Sequence, residues 1–237
     1  IILYHDEICS QCAFVSYEGL NLSVYFEVMR GVTVLSKDNE FYLRRLHSLL
    51  GIIPIGLFVA QHLVINHFAT QGPEAFNKAS HFMESLPFVL FLEWFVIYIP
   101  LMFHAFYGVY ISFTAKSNTQ RYGTFRNWMF LLQRVTGVIL VVFIAWHIFE
   151  TRFQKAIGAD EVNFDMMADI LANPLMFAFY IVGVVSATFH LANGIWSFLI
   201  SWGITQSPKS QRISTYVTMG IFLALTVIGV RALLAFV

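Results

Sequence analysis

Charge is scarce in this 237-residue chain, where only 12% of positions are charged and 14 acidic residues balance 14 basic ones. That balance offers no basic surface for nucleic acid and no acidic one for a cationic soluble partner. Cysteine is rarer still: Cys9 and Cys12 form a lone CxxC with no second pair and no following histidine. A zinc ribbon and a covalently attached c-type haem are therefore unsupported. The opening residues show neither the Lys/Arg-led start nor the cleavage site of a secretory signal. What the chain has in abundance is apolar surface, with 58% hydrophobic residues, 17% aromatic residues and a mean hydropathy of +0.68. Such a composition belongs to a membrane protein.

A helix needs about 20 apolar residues to cross roughly 30 Å of hydrocarbon. Five stretches qualify, at 46–66, 88–113, 128–149, 174–200 and 213–236. Polar connections with turn residues separate them, among them Gln71-Gly72-Pro73, Lys116-Ser117-Asn118, Asn173-Pro174 and Ser207-Pro208-Lys209. The expected fold is all-α, a single integral membrane bundle of five transmembrane helices. Residues 73–86 are expected to form a short interfacial helix, and Asp160, Glu161, Asp165 and Asp169 an acidic outer loop. Ten of the 14 Lys and Arg residues fall on the side of the N-terminus, and Lys78, Arg152, Lys155 and Arg231 fall opposite. Positive charge is retained in the cytoplasm, so the N-terminus is expected inside and the C-terminus outside. The chain opens on Ile1, and residues 1–34 lack the patterning of the rest. They are expected to be an extension ahead of a transmembrane domain at 35–237.

Polar side chains inside spans are costly, so each is a functional candidate. Four spans carry one histidine each: His62, His104, His147 and His190. Helix rise puts His62 about 24 Å and His147 about 28 Å from the inner edges of their spans. His104 and His190 lie roughly 21 to 24 Å from the outer edges of theirs, because those spans run the other way. Two layers about 12 to 18 Å apart result, and only the pairs His62 with His147 and His104 with His190 match in depth. Each pair can clamp one haem iron through both axial positions, which suits electron transfer rather than chemistry at the metal. The histidines recur at intervals of about 43 residues. Spans one and two therefore repeat as spans three and four around two stacked haems. Span five, without an intramembrane histidine, is expected to pack outside that bundle.

Other residues carry weaker signals. Gly108 and Gly194 each follow an inner histidine by four positions, to admit either a macrocycle or a neighbouring helix. Arg44, Arg45 and Arg134 gather at the inner boundary as candidates for haem propionates, with His47 nearby facing propionates, a partner subunit or water. His67 and His81 are expected at the outer surface. Glu93, a carboxylate inside span two, and Trp146, beside His147, are candidates for a quinone site.

Several runs carry a family resemblance: Glu40-Phe-Tyr-Leu-Arg-Arg-Leu-His-Ser-Leu-Leu-Gly51, Gln61-His-Leu-Val-Ile-Asn66, Phe125-Arg-Asn-Trp-Met129, Ala145-Trp-His147, Asn163-Phe-Asp-Met-Met167 and Asn193-Gly-Ile-Trp-Ser-Phe198. Over about residues 35 to 237 the chain resembles the di-haem cytochrome b membrane anchor of succinate dehydrogenase from Gram-positive bacteria. The resemblance implies a bacterial cell membrane and partnership with a succinate-oxidising flavoprotein and an iron-sulfur subunit. It also implies two haems b, the distal one on His62 and His147 and the proximal one on His104 and His190, with menaquinone as electron acceptor. It further implies a natural start at Leu35. Succinate chemistry itself would lie on the partner subunits. Two other readings remain open: the same anchor in a quinol:fumarate reductase, and a haem-free transporter whose histidines relay protons. Against the transporter, no span reads as clearly broken near mid-membrane, and buried carboxylates are few.

Overall fold

The computed structural model describes residues 37–237, so the calls on the 1–34 extension, Leu35, Cys9 and Cys12 lie outside the described residues. Lys37–Tyr42 enters the first helix, where Phe41 and Tyr42 meet edge to face. The packing that follows is that of Leu43–Val237.

Five helical stretches are long and apolar enough to cross a membrane: Asn39–Gln71, Val89–Thr114, Phe125–Ala156, Pro174–Ser201 and Pro208–Leu234. No strand occurs among the described residues. Span one is α1 (Lys37–Ile52) and α2 (Ile55–His67), closed by a 3-10 turn at Phe68–Gln71. An interfacial helix, α3 (Pro73–Glu84), leads to span two, which has a π-helical segment, Leu92–Tyr98, ahead of α4 (Ile99–Thr114). Span three is α5 (Phe125–Ile148) followed by a second π-helical segment, Phe149–Phe153. A short amphipathic helix, α6 (Phe164–Leu171), precedes spans four and five, α7 (Pro174–Ser201) and α8 (Pro208–Leu234).

Local chemistry fixes where these helices start. The Thr124 hydroxyl accepts from the Asn127 amide, and the Asn173 side chain accepts from the amides of Leu175 and Met176. Ser207 and Ser210 form a reciprocal capping box. Proline occupies the first turn of α3, α7 and α8, where its missing N–H costs nothing.

Span one departs from the expectation of unbroken helices. Helical structure lapses at Ile53–Pro54, because Pro54 has no amide to donate and its ring crowds the preceding turn. The lapse is brief: the Ile53 amide still reaches the Leu49 carbonyl, and the Phe58 amide reaches that of Pro54.

Span five leans on spans one and four. Thr188 and Thr226 share a hydrogen bond of 2.7 Å, with Thr188 fully buried. Gly229 lies against Val184 and Leu63, where a side chain would collide with Val184. His67 also belongs to this seam, since its Nδ1 lies 3.1 Å from the Ile228 carbonyl. It is therefore an interhelical contact at a helix end rather than the surface residue expected. At the inner end, the Arg126 guanidinium lies 3.5 Å over the Trp196 ring and donates to Thr215, tying spans three, four and five. The buried core gathers toward the outer end, where Phe76 of α3 and Met167 and Leu171 of α6 join Leu63, Phe143, Tyr180, Leu233 and Phe236. Large apolar side chains such as Phe88, Phe106 and Phe113 remain exposed, as a surface facing lipid requires.

Candidate functional site

The four span histidines meet in two pairs from four different helices. His62 of α2 and His147 of α5 have ring centres 5.9 Å apart with planes at 73°. His104 of α4 and His190 of α7 have centres 6.2 Å apart with planes at 86°. Two imidazoles that share one metal ion at about 2 Å from each nitrogen place their centres about 6 Å apart. Both pairs have that spacing. The pairs also occupy separate levels: Gly137, which touches His190, lies ten residues before His147 on the continuous helix α5, or about 15 Å of rise.

The inner pair is held by the backbone. His104 Nδ1 lies 3.0 Å from the His47 carbonyl, and His190 Nδ1 lies 3.1 Å from the Gln133 carbonyl. With Nδ1 donating to a carbonyl, the tautomer is fixed and Nε2 is left as the nitrogen able to bind metal. One turn beyond each carbonyl stands a glycine. A Cβ on Gly51 would collide with the His104 ring, and one on Gly137 would come within 3.1 Å of the His190 ring. The arrangement is thus repeated in the two halves, His47 and Gly51 holding His104 as Gln133 and Gly137 hold His190.

Gly108 and Gly194 do something different. Each faces the side chain of the residue whose carbonyl holds the histidine, with Gly108 near His47 Nε2 and Gly194 near Gln133 Nε2. Of the two roles considered for these glycines, the structure shows the approach of a neighbouring helix. The glycines that seat the imidazoles are Gly51 and Gly137, and the same 86-residue repeat relates them.

The side chains of His47 and Gln133 then diverge. Gln133 donates 3.0 Å to the His190 carbonyl and accepts from Asn193. His47 stacks on His104 with ring centres 4.1 Å apart, and its buried Nε2 meets no hydrogen-bond partner among the described residues. Arg134 donates 2.6 Å to the Ala115 carbonyl at the end of span two and stacks over Phe130, yet its Nε is also buried without a partner among the described residues. Arg45 lies over the Trp202 ring at the same boundary, and Arg44 is one residue away on α1.

Side chains hold the outer pair. His62 packs against Phe58, and His147 is nearly parallel to Phe143. His147 Nδ1 lies 3.2 Å from the Tyr180 hydroxyl, which donates to Glu150 at 3.1 Å. Trp146 also donates to Glu150, at 3.1 Å. Glu93 makes two hydrogen bonds, of 3.0 and 2.8 Å, to the Arg152 guanidinium, and Lys155 pairs with Glu84. Glu93 and Arg152 lie in the two π-helical segments. The wider turn there shifts side chains from the register a regular helix would give them.

Among the described residues, no three His, Cys, Asp or Glu side chains gather where they could hold a metal ion. Two nitrogens per level are what the chain brings, a donor set completed by the four nitrogens of a planar macrocycle. Paired imidazoles at metal spacing, glycines that let them sit against the backbone, and orphaned buried donors at the inner boundary all fit haem.

Residues 114–229 match the family described as succinate dehydrogenase/fumarate reductase transmembrane subunit. The chain is also 61% identical over 203 residues to the succinate dehydrogenase cytochrome b558 subunit of Bacillus subtilis (strain 168), an alignment spanning 86% of this chain and all of that relative.

Proposed function

Because the chain belongs to the family of succinate dehydrogenase/fumarate reductase transmembrane subunits, we propose that it anchors a succinate dehydrogenase in a bacterial cell membrane and conducts electrons from the iron-sulfur subunit to menaquinone. The observation that carries this reading is the meeting of four imidazoles, two by two, at separate levels of one helical bundle. His62 and His147 would hold the distal haem b, and His104 and His190 the proximal one. Bound there, the haems supply two one-electron carriers within reach of each other across the bilayer.

The chain's own residues do the rest. The His47 and Gln133 carbonyls fix the inner imidazoles in one tautomer and orientation. Arg44, Arg45 and Arg134 line the inner boundary as candidates for the haem propionates, which would satisfy the buried Arg134 Nε and His47 Nε2. The same basic face would dock the iron-sulfur and flavoprotein subunits. Glu93, clamped by Arg152, and Trp146 lie near the outer pair and are assigned to the menaquinone site. Lys and Arg are concentrated on the inner connections, which supports an N-terminus in the cytoplasm and a C-terminus outside. Residues 35–237 constitute this transmembrane domain, with 1–34 preceding it.

The test is a reduced-minus-oxidised visible spectrum with haem stoichiometry on the purified complex. Two b-type haems per chain are expected, one of them lost when His147 is replaced. A complex without a b-type band would support the histidine proton relay instead. Retention of both haems and of quinone reduction after His62 and His147 are both replaced would end the assignment. Redox titration of the haems against the succinate/fumarate and menaquinone couples distinguishes succinate oxidation from fumarate reduction.

A further inference from the structure

Three of the span histidines have an identified partner at Nδ1, and one of these partners is unlike the others. His104 and His190 face neutral backbone carbonyls, and His190 Nδ1 also lies 3.3 Å from the Thr136 hydroxyl, which itself donates to backbone carbonyls and not to an anion. His147 faces the hydroxyl of Tyr180, whose own proton is directed at the carboxylate of Glu150. When Nε2 is the metal-binding nitrogen, Nδ1 carries the proton, so every link points one way: imidazole to phenol oxygen, phenol to carboxylate.

The terminal carboxylate is also unusual among its neighbours. Glu93 is matched by Arg152, and Glu84 by Lys155. Glu150, half-buried at the outer end of span three, is bonded to the Trp146 indole and the Tyr180 hydroxyl. Among the described residues no cation pairs with it. Its negative charge is therefore free to polarise the phenol. Tyr180 is 2% exposed, and its ring is packed edge-on against Phe143. That packing holds the hydroxyl between its two partners.

We infer that Tyr180 and Glu150 are positioning residues that make His147 a more strongly donating ligand than it would be without them, and so hold the outer haem at a lower potential than its pocket would otherwise give. This rests on the reading of His147 as an axial ligand. A ligand whose distal proton is drawn toward an anion donates more charge to the metal and favours its oxidised form. The Tyr180 oxygen is a weak acceptor by itself, and the Glu150 carboxylate behind it strengthens its pull on the His147 proton. The two haem levels are thereby tuned by different means.

The experiment is a potentiometric titration of the purified complex, followed at the b-haem absorption band, for the wild type, Tyr180→Phe, Glu150→Gln and His147→Leu. The last variant identifies which wave belongs to the outer haem. Tyr180→Phe keeps the carboxylate charge and cuts the hydrogen-bond chain. It should shift the outer wave upward by about a tenfold change in the reduction equilibrium, about 59 mV for one electron, and leave the inner wave in place. Glu150→Gln, which keeps an acceptor for Tyr180 and removes the charge, should move the same wave in the same direction. An outer wave that stays put or falls in Tyr180→Phe, or two waves that move equally, overturns the inference. Should Tyr180→Phe fail to assemble, the response of the two waves to Glu150→Gln decides. If His147→Leu loses neither haem, the ligand reading itself fails and takes the inference with it.

Discussion

The inner and outer histidine pairs have nearly the same ring separation, 6.2 and 5.9 Å, and reach it by different construction. The inner pair is fastened mainly by main-chain carbonyls and seated on glycine, an arrangement repeated in both halves of the bundle, with the Thr136 hydroxyl beside His190 and the His47 ring stacked on His104 as additions. The outer pair is fastened by side chains: Phe58, Phe143, Tyr180 and, through it, Glu150. Backbone fastening is insensitive to side-chain identity, since any residue at position 47 or 133 presents the same carbonyl. Side-chain fastening can be altered one residue at a time. The inner hydrogen bonds are thus set by the fold, with substitution acting on that level through its glycine seats, whereas the outer hydrogen bonds are themselves open to tuning by substitution.

The most damaging way to break this symmetry of spacing is to remove an imidazole. His62→Leu or His147→Leu should halve the haem content measured by pyridine haemochrome and spare the inner signal, while His104→Leu or His190→Leu should do the reverse. Next come the glycine seats. Gly51→Ala drives a methyl into the His104 ring, and overpacking of this kind costs about 1 to 3 kcal/mol. Gly137→Ala should cost less, because its nearest ring atom lies 3.1 Å away and has room to give. The midpoint of thermal haem release should fall further for Gly51→Ala than for Gly137→Ala; the opposite order would show that the two inner seats are not built as described.

Smaller effects test the outer level. A double-mutant cycle on Glu93→Gln and Arg152→Gln should give a coupling of about 1 kcal/mol, since both side chains are only partly buried near the ends of their spans. Haem spectra should be unchanged, and the KM for quinone should rise in Glu93→Gln. The smallest effect is expected at the seam with span five. Replacing Thr188 and Thr226 together with valine should cost about 0.6 kcal/mol by the same thermal measurement, in keeping with hydrogen bonds between membrane helices.

Hydropathy alone marks the five spans, because the demand for apolar length is local and cumulative. The pairing of His62 with His147 and His104 with His190 follows from depth, which rise per residue converts into distance. What rotation about the helix axis decides was hidden. Nothing local in Glu93 announces Arg152, 59 residues away, or places both in π-helical turns. Tyr180 lies 33 residues from His147 and reads as one apolar-face aromatic among many. Gly108 and Gly194 follow the histidines in sequence, whereas the imidazoles rest on Gly51 and Gly137 of the adjacent spans. A shift of 86 residues relates Gly51 to Gly137, but it relates Gly72 to Gly158 and Gly108 to Gly194 as well, so the repeat narrows the choice without making it. Pro54 sat in plain view, but span one's apolar length masked the lapse it causes.

Span five, leaning on spans one and four, gives the molecule a back and a front. Its seam through Thr188, Thr226, Gly229 and His67 covers one flank, while Phe91, Trp94, Phe95, Met102 and Phe106 line the flank of span two that meets lipid. A hydrophobic carrier wandering in the plane of the bilayer searches in two dimensions, and its productive collisions would come from the front. Crowding that side with a fused or crosslinked neighbour would throttle traffic, whereas a neighbour at the back would be a bystander.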